Sequence, residues 1–291
     1  MPAHPRQPSG ERLVPSSGDP DVRNEHLARY LFAEPLAHGK RVLDAGCGVG
    51  YGCEILSRSA ALTLGVDLSQ GAVRQAARAA PGAAFARADC RSLPVADASV
   101  DLVVAFEVIE HIEAWGRLIN EAARVLAPGG AFIASTPNRP YYRSTRTEPN
   151  PFHVHEFDHA EFRAALTSEF EHCRMFFQNH VSGISVSSGQ TRAARGLVER
   201  VGLDPEDAHF FVAVCSCQPL EELADLAYIP DPGNVLRARE QHVRKLERWI
   251  TALESRHATV EGRMSRELSR WPYRALRWLR LAPRLPSDWG E

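Results

Sequence analysis

The run VLDAGCGVGYG, residues 42–52, constrains this chain most: a short apolar strand ends at Asp44 and passes through Gly46, Gly48, Gly50 and Gly52 before a helix opens. Glycines at a strand-to-helix bend let the backbone turn sharply and let a ligand lie directly against it. The spacing does not match the dinucleotide fingerprint G-x-G-x-x-G, because the sixth position is Tyr51 counted from Gly46 and Cys53 counted from Gly48. Charge argues the same way. Asp44 would point a carboxylate to where a dinucleotide places its pyrophosphate. The bend suits a ligand that carries positive charge and no phosphate.

Around this bend, strands and helices alternate. An amphipathic helix is expected over Asp21–Ala37, then strand KRVLDAG, helix Tyr51–Ser59, strand LTLGVD, helix Gln70–Ala80 and strand AAFARAD. Strand SVDLVVAF, helix Trp115–Leu126 and strand AFIASTPN follow. This rhythm predicts a Rossmann-like α/β domain, a doubly wound sheet with helices on both faces. Residues 139–158, rich in Pro, Tyr, Asn and His, read as a long loop. Helix 159–168, strands near 171–178 and 181–187, a helix near 191–200 and strand HFFVAVCSC complete the domain.

With the bend and its setting in place, the segment resembles motif I of the class I S-adenosylmethionine-dependent methyltransferases. That cofactor carries a sulfonium and an ammonium but no phosphate. The resemblance implies that Asp44, Gly46, Gly48 and Gly50 border it. It also implies that Asp67, seventeen residues beyond Gly50 at the end of strand two, accepts from the ribose diol, with Leu68 beside it. ARADCRSLP is similar to the family's adenine-binding turn, placing Asp89 near the exocyclic amine and Cys90 near the ring. FEVIEHI is similar to the segment after strand four, where Phe106 and Glu107 border the methionine end. Arg29 or Tyr30, on the first helix, would reach the cofactor carboxylate.

Methyl transfer is an in-line displacement, so the protein must align an acceptor and, for a hydroxyl, remove a proton. His111, just past strand four, is one candidate base; an orienting role for it is equally open. Glu110 and Glu113 beside it read as solvated. His153 and His155, which share a side if the chain is extended, are the other candidates. A metal among the histidines of this insertion is not expected, since metal sites usually draw ligands from more than one element. Arg139, Tyr141, Tyr142 and Arg143 suit stacking on a polyhydroxylated ligand, or docking of the loop on the sheet.

A narrower resemblance, carried by TPN, the NPFH-containing insertion, FFVAVCS and the helix GNVLRARE, is to bacterial methyltransferases associated with glycosyltransferases in polysaccharide assembly. It implies O-methylation of a sugar hydroxyl on a carbohydrate acceptor. The rivals are a small natural product or carrier-bound acyl acceptor, and a non-catalytic scaffold that retains cofactor binding.

Formal net charge is −2 over 291 residues, which supplies no bias toward nucleic acid. The six cysteines lack paired CxxC spacing, so zinc is not indicated, and free thiols in a reducing cytoplasm are expected. The domain plan is a disordered segment 1–21, a methyltransferase domain 22–218, a linker 219–233, a coiled-coil helix 234–267 and a basic amphipathic tail 268–291. The first 21 residues lack the apolar core of a secretory signal. Leu236, Val243, Leu246, Ile250, Leu253, His257, Val260 and Met264 follow 3-4 spacing interrupted by Arg239 and Glu267, with Glu240, Glu247, Glu254 and Glu261 on one flank, which predicts a homodimer. The tail could rest on the inner face of a membrane or pack on protein.

Overall fold

In the computed structural model, residues 20–145, 148, 150–181, 204–228, 234–268, 275, 278 and 279 are described. The expected strand 181–187 and helix 191–200 fall almost wholly outside them, as do the N-terminal segment up to residue 19 and most of the tail. Two compact units are present, Met1–Pro230 and Asp231–Glu291.

The first unit is built on seven strands: β1 (Arg41–Ala45), β2 (Leu62–Asp67), β3 (Ala84–Arg87), β4 (Val100–Phe106), β5 (Leu126–Pro137), β6 (His172–Gln178) and β7 (Phe210–Ser216). Their order is β3-β2-β1-β4-β5-β7-β6. The first five pair in parallel, and β7 runs antiparallel between β5 and β6. Helices α1 (Pro20–Ala33), α2 (Tyr51–Leu56), α3 (Gln70–Ala79), α4 (Trp115–Val125), α5 (Arg139–Thr145) and α6 (His159–Thr167) accompany the sheet.

Period-two alternation in β4 divides the core between the two faces of the sheet. Val103 and Ala105 enter one apolar cluster with Leu43, Leu118, Ile119 and Phe162, whereas Leu102, Val104 and Phe106 enter the other with Val42, Tyr30 and Ala33. Strands buried on both faces must be apolar throughout, and β4 is buried at all but Asp101. The chain crosses outward from β1 to β2 and β3, then returns to place β4 on the other side of β1. That reversal opens a crevice at the carboxyl ends of β1 and β4, the place where such sheets bind ligands.

The elements depart from expectation in three places. The first helix gives way at Glu34 to a 3₁₀ turn, Glu34–Ala37, where Pro35 has no N–H for an α-helical bond. The region 139–158 is not all loop: Arg139–Thr145 is helical, with Pro140 tolerated in the first turn because an N–H there would lack a partner. β5 starts at Leu126 rather than Ala131, with a register shift opposite Val100/Leu102.

The second unit contains one long helix, α7 (Asn234–Leu268). Leu246, Ile250, Leu253 and Val260 are exposed along it. Among the described residues, no helix is long and apolar enough to cross a membrane.

Candidate active site

The bend after β1 is tied down from beneath. Gly46 N and Cys47 N both donate to the Val66 carbonyl at the end of β2, at 2.8 and 2.9 Å, and Gly48 N donates to Asp67 Oδ2 at 3.1 Å. Gly46, Gly48 and Gly50 all take positive φ. At Gly48 a Cβ would meet nothing within 4 Å, so the loop shows bare backbone to open space there. Gly52 serves packing instead: a Cβ at this position would run into the Tyr30 ring.

Asp44 points inward and is fully buried. Tyr30 Oη donates to its carboxylate at 3.2 Å from each oxygen, and Cys53 Sγ donates at 3.2 Å. Burial dominates all the same and pushes the Asp44 carboxyl up to about 7, against the pull of those two donors and helped by the nearby Asp67 charge. Tyr30 therefore spends its hydroxyl on Asp44 rather than presenting it to a cofactor carboxylate. Its ring meets Phe106 edge-on at 5.0 Å.

Arg29 lies on the same helix and is 1% exposed. Its Nε donates to Gln178 Oε1 at 2.7 Å, its Cζ stands 4.3 Å from the centre of the Phe210 ring, and Nη2 is 3.8 Å from Glu107 Oε1. Neither Nη has a hydrogen-bond acceptor among the described residues. Glu107 sits where β4 ends, with φ of 55°, a strained backbone for a non-glycine residue. Ser135 fixes it, accepting from Glu107 N at 3.1 Å and donating to Glu107 Oε1 at 2.7 Å. Burial raises the Glu107 carboxyl, and the Arg29 charge opposes that rise.

The remaining sequence-derived residues divide between the crevice and ordinary structure. Asp67 accepts from Gly48 N through Oδ2 and from Ser69 N through Oδ1, which fixes its carboxylate under the glycine bend. Leu68 beside it is 61% exposed. Asp89 is held bidentately by Arg91, whose hydrogen bond lowers its carboxyl, so its oxygens do not stand open for an adenine amine. Cys90 is buried and its thiol is pushed up to about 12 by burial.

On the acceptor side, a 3₁₀ turn Ile109–His111 follows β4. His111 Nδ1 lies 2.9 Å from the Phe152 carbonyl oxygen, and the His111 and His153 rings stand 5.0 Å apart. Glu110 is buried rather than solvated, and its Oε1 is 3.9 Å from His111 Nε2. His155 turns elsewhere, against the rings of Trp115 and Phe157. Arg139 is bound by Asp158 and Glu161, Arg143 by Glu156 at 2.9 Å, and Tyr141 stacks on His209 at 4.0 Å. These side chains dock the insertion on the domain and do not line an open sugar platform. Ser135 and Gln178 escaped the sequence reading, and Glu110, read there as solvated, is buried. Only Glu110, three residues after Glu107 and next to His111, carried a local signal.

Residues 43–134 match the family model described as a methyltransferase domain. A "Probable S-adenosylmethionine-dependent methyltransferase" of Mycolicibacterium smegmatis is 38% identical over 56% of this chain and 65% of its own length. The trans-aconitate 2-methyltransferase of Methylobacterium nodulans is 32% identical over 65% of this chain and 79% of its own length. The chain belongs to the S-adenosylmethionine-dependent methyltransferases. Family membership makes S-adenosylmethionine the cofactor of this chain. A chain of the complex between the Haloferax volcanii Trm112 methyltransferase activator and a methyltransferase shares the fold, with 21% identity, a TM-score of 0.53 and coverage of 68% of this chain and 91% of its own. This methyltransferase chain spans 65% of the length of its M. smegmatis relative, slightly under two thirds.

The residues present fit the cofactor. Bare backbone at Gly48 leaves room for close approach. The Arg29 guanidinium, buried and with both Nη groups lacking an acceptor among the described residues, matches a carboxylate. Asp44 and Glu107 are acids at the carboxyl ends of β1 and β4, and the exposed Leu68 side chain offers an apolar face beside Asp67.

Proposed function

We propose that this chain transfers the methyl group of S-adenosylmethionine to a hydroxyl oxygen of a carbohydrate or glycosylated acceptor. The observation that carries the reading is Arg29: a guanidinium 1% exposed, with both Nη groups lacking hydrogen-bond acceptors among the described residues, beside the glycine bend. Burying a charge in this way is costly unless a ligand completes its hydrogen bonds. The carboxylate of the cofactor's methionine end does so. Glu107, fixed by Ser135, then faces the ammonium.

A cofactor held by these residues would supply an electrophilic methyl group toward the acceptor side, where His111 and His153 meet. The acceptor oxygen forms a bond to the methyl carbon as the carbon–sulfur bond breaks. The bonding pair stays on sulfur to give S-adenosylhomocysteine, and the hydroxyl proton passes to the group around His111. His155, packed against the Trp115 and Phe157 rings, does not share this role. Asp44, Asp67, Leu68, Cys90, Phe106 and Tyr30 shape the cofactor cleft. Choice of a sugar hydroxyl rests on the likeness of the TPN and NPFH segments to glycan-associated methyltransferases.

A carboxylate acceptor is the second reading, favoured by the M. nodulans relative named for trans-aconitate. The full chain, supplied with methyl-labelled cofactor and a panel of saccharides and organic acids, separates the two. Alkali-stable label on a saccharide supports the first. Alkali-labile label on an acid, a methyl ester, replaces it with the second, and binding without any transfer would point to a scaffold.

The exposed stripe of α7 extends the proposal to assembly, with the same stripe of a second copy covering it. Sedimentation of the chain carrying Leu246→Glu and Leu253→Glu should show a monomer where the unaltered chain shows a dimer. Peripheral membrane contact through residues 268–291 is part of the same proposal, tested by vesicle flotation with and without that segment.

A further inference from the structure

One carboxylate oxygen of Glu110 and one ring nitrogen from each of His111 and His153 all lie within 4.8 Å of one another. They come from two separate stretches, the turn after β4 and the loop before α6. That loop is clamped to the turn: Val154 N and His155 N donate to the Glu110 carbonyl oxygen at 2.9 and 3.2 Å. We infer that these three side chains form a binding site for one divalent transition-metal ion.

The tautomer of His111 argues for it. Nδ1 lies 2.9 Å from the Phe152 carbonyl oxygen, which can only accept, so Nδ1 carries the proton and Nε2 of the neutral ring carries the lone pair. That lone-pair atom is 3.9 Å from Glu110 Oε1. The gap is too long for a hydrogen bond. It is the separation of roughly 3–4 Å that two ligands have when each is about 2.1 Å from one ion. His153 also has a carboxylate behind it, with Nδ1 3.4 Å from Glu156 Oε1. Backbone carbonyls and carboxylates behind ligating histidines orient the rings in this way.

Burial supports the same assignment. The Glu110 side chain is 1% exposed, His153 5% and His111 29%, so the group is approached from the His111 side. Two imidazoles and one carboxylate favour zinc, cobalt, iron or manganese over magnesium or calcium, which prefer all-oxygen sets. Three protein ligands leave positions open on the ion. What occupies them rests on the methyl-transfer reading: an acceptor hydroxyl oxygen, polarised by the ion and thereby easier to deprotonate. In that case His111 and His153 hold the ion, and the hydroxyl proton passes to solvent water rather than to either ring.

The test is binding of cobalt to the full chain after removal of metal with a chelator. Titration with Co²⁺ should give a visible ligand-field absorption that saturates at one equivalent and is displaced by Zn²⁺. His153→Ala and Glu110→Gln should each weaken Co²⁺ at least about 10-fold, whereas His155→Ala, on the same loop but facing Trp115, should not. Should Glu110→Gln fail to fold, His111→Gln serves in its place, with S-adenosylhomocysteine binding as the check that each variant is intact. Absence of saturable absorption, or absorption undiminished in intact His153→Ala, overturns the inference. Because the readout is the metal spectrum, it stands or falls separately from any failure to find a methyl acceptor.

Discussion

Replacing Asp44 by asparagine should strengthen the fold and weaken the cofactor complex at the same time. Asp44 is fully buried and its carboxyl is raised from an ordinary 3.8 to about 7. A raised carboxyl binds its proton more tightly in the folded than in the unfolded chain, so stability is present in full below about pH 4 and is lost as pH rises to about 7. At about 1.4 kcal/mol per pH unit, the ionised folded state gives up as much as about 4 kcal/mol relative to the protonated one. The asparagine amide keeps an acceptor for Tyr30 Oη and never ionises. The two proteins should match near pH 4, and above pH 7 the variant should be more stable by up to about 4 kcal/mol, roughly 10 °C in melting temperature for a domain of this size. Cofactor binding moves in the opposite direction. The sulfonium and ammonium favour an ionised Asp44, so affinity in the unaltered protein should rise as pH increases through about 7, and Asp44→Asn should remove that rise together with about 1–3 kcal/mol of binding. Urea unfolding and calorimetric titration from about pH 5 to about pH 9 measure both. If the stabilities of the two proteins run parallel across this range, Asp44 is not the buried titrating group described above.

Arg29→Met should weaken S-adenosylmethionine by about 2–3 kcal/mol while leaving 5′-methylthioadenosine, which lacks the carboxylate, nearly unaffected; equal losses for both ligands would move Arg29 out of carboxylate recognition. Gly52→Ala drives a methyl group into the Tyr30 ring and should destabilise the domain by about 2–3 kcal/mol. It should also loosen the Tyr30–Asp44 contact, and unfolding by urea at unchanged midpoint would contradict this packing. Asp67→Ala removes the acceptor of Gly48 N and the proposed partner of the ribose diol, and should cost about 1–3 kcal/mol in cofactor affinity by calorimetry.

Local chemistry made the phosphate-free character of the crevice legible. Spacing and charge in DAGCGVG depend only on neighbouring residues, and the alternation of apolar strands with capped helices follows from periodicity. The β2 bounds Leu62–Asp67 are of this kind. Side-chain direction at the site was not legible, because it depends on partners far along the chain. Tyr30 turns to Asp44, fourteen residues away, and Arg29 is held by Gln178, 149 residues away. Glu110 looked like a surface residue on an exposed turn until the 150–157 loop folded over it.

The sequence alone therefore determined the alternating α/β layout, the glycine bend and its preference for a cationic ligand, since strand periodicity, turn chemistry and the sign of a carboxylate are local properties. Only the tertiary structure decided which acids are buried, that neither Nη of Arg29 meets a hydrogen-bond acceptor among the described residues, and that His111 and His153 meet beside Glu110. Those outcomes depend on desolvation and on contacts between distant segments, and both arise only when the sheet brings the ends of its strands together.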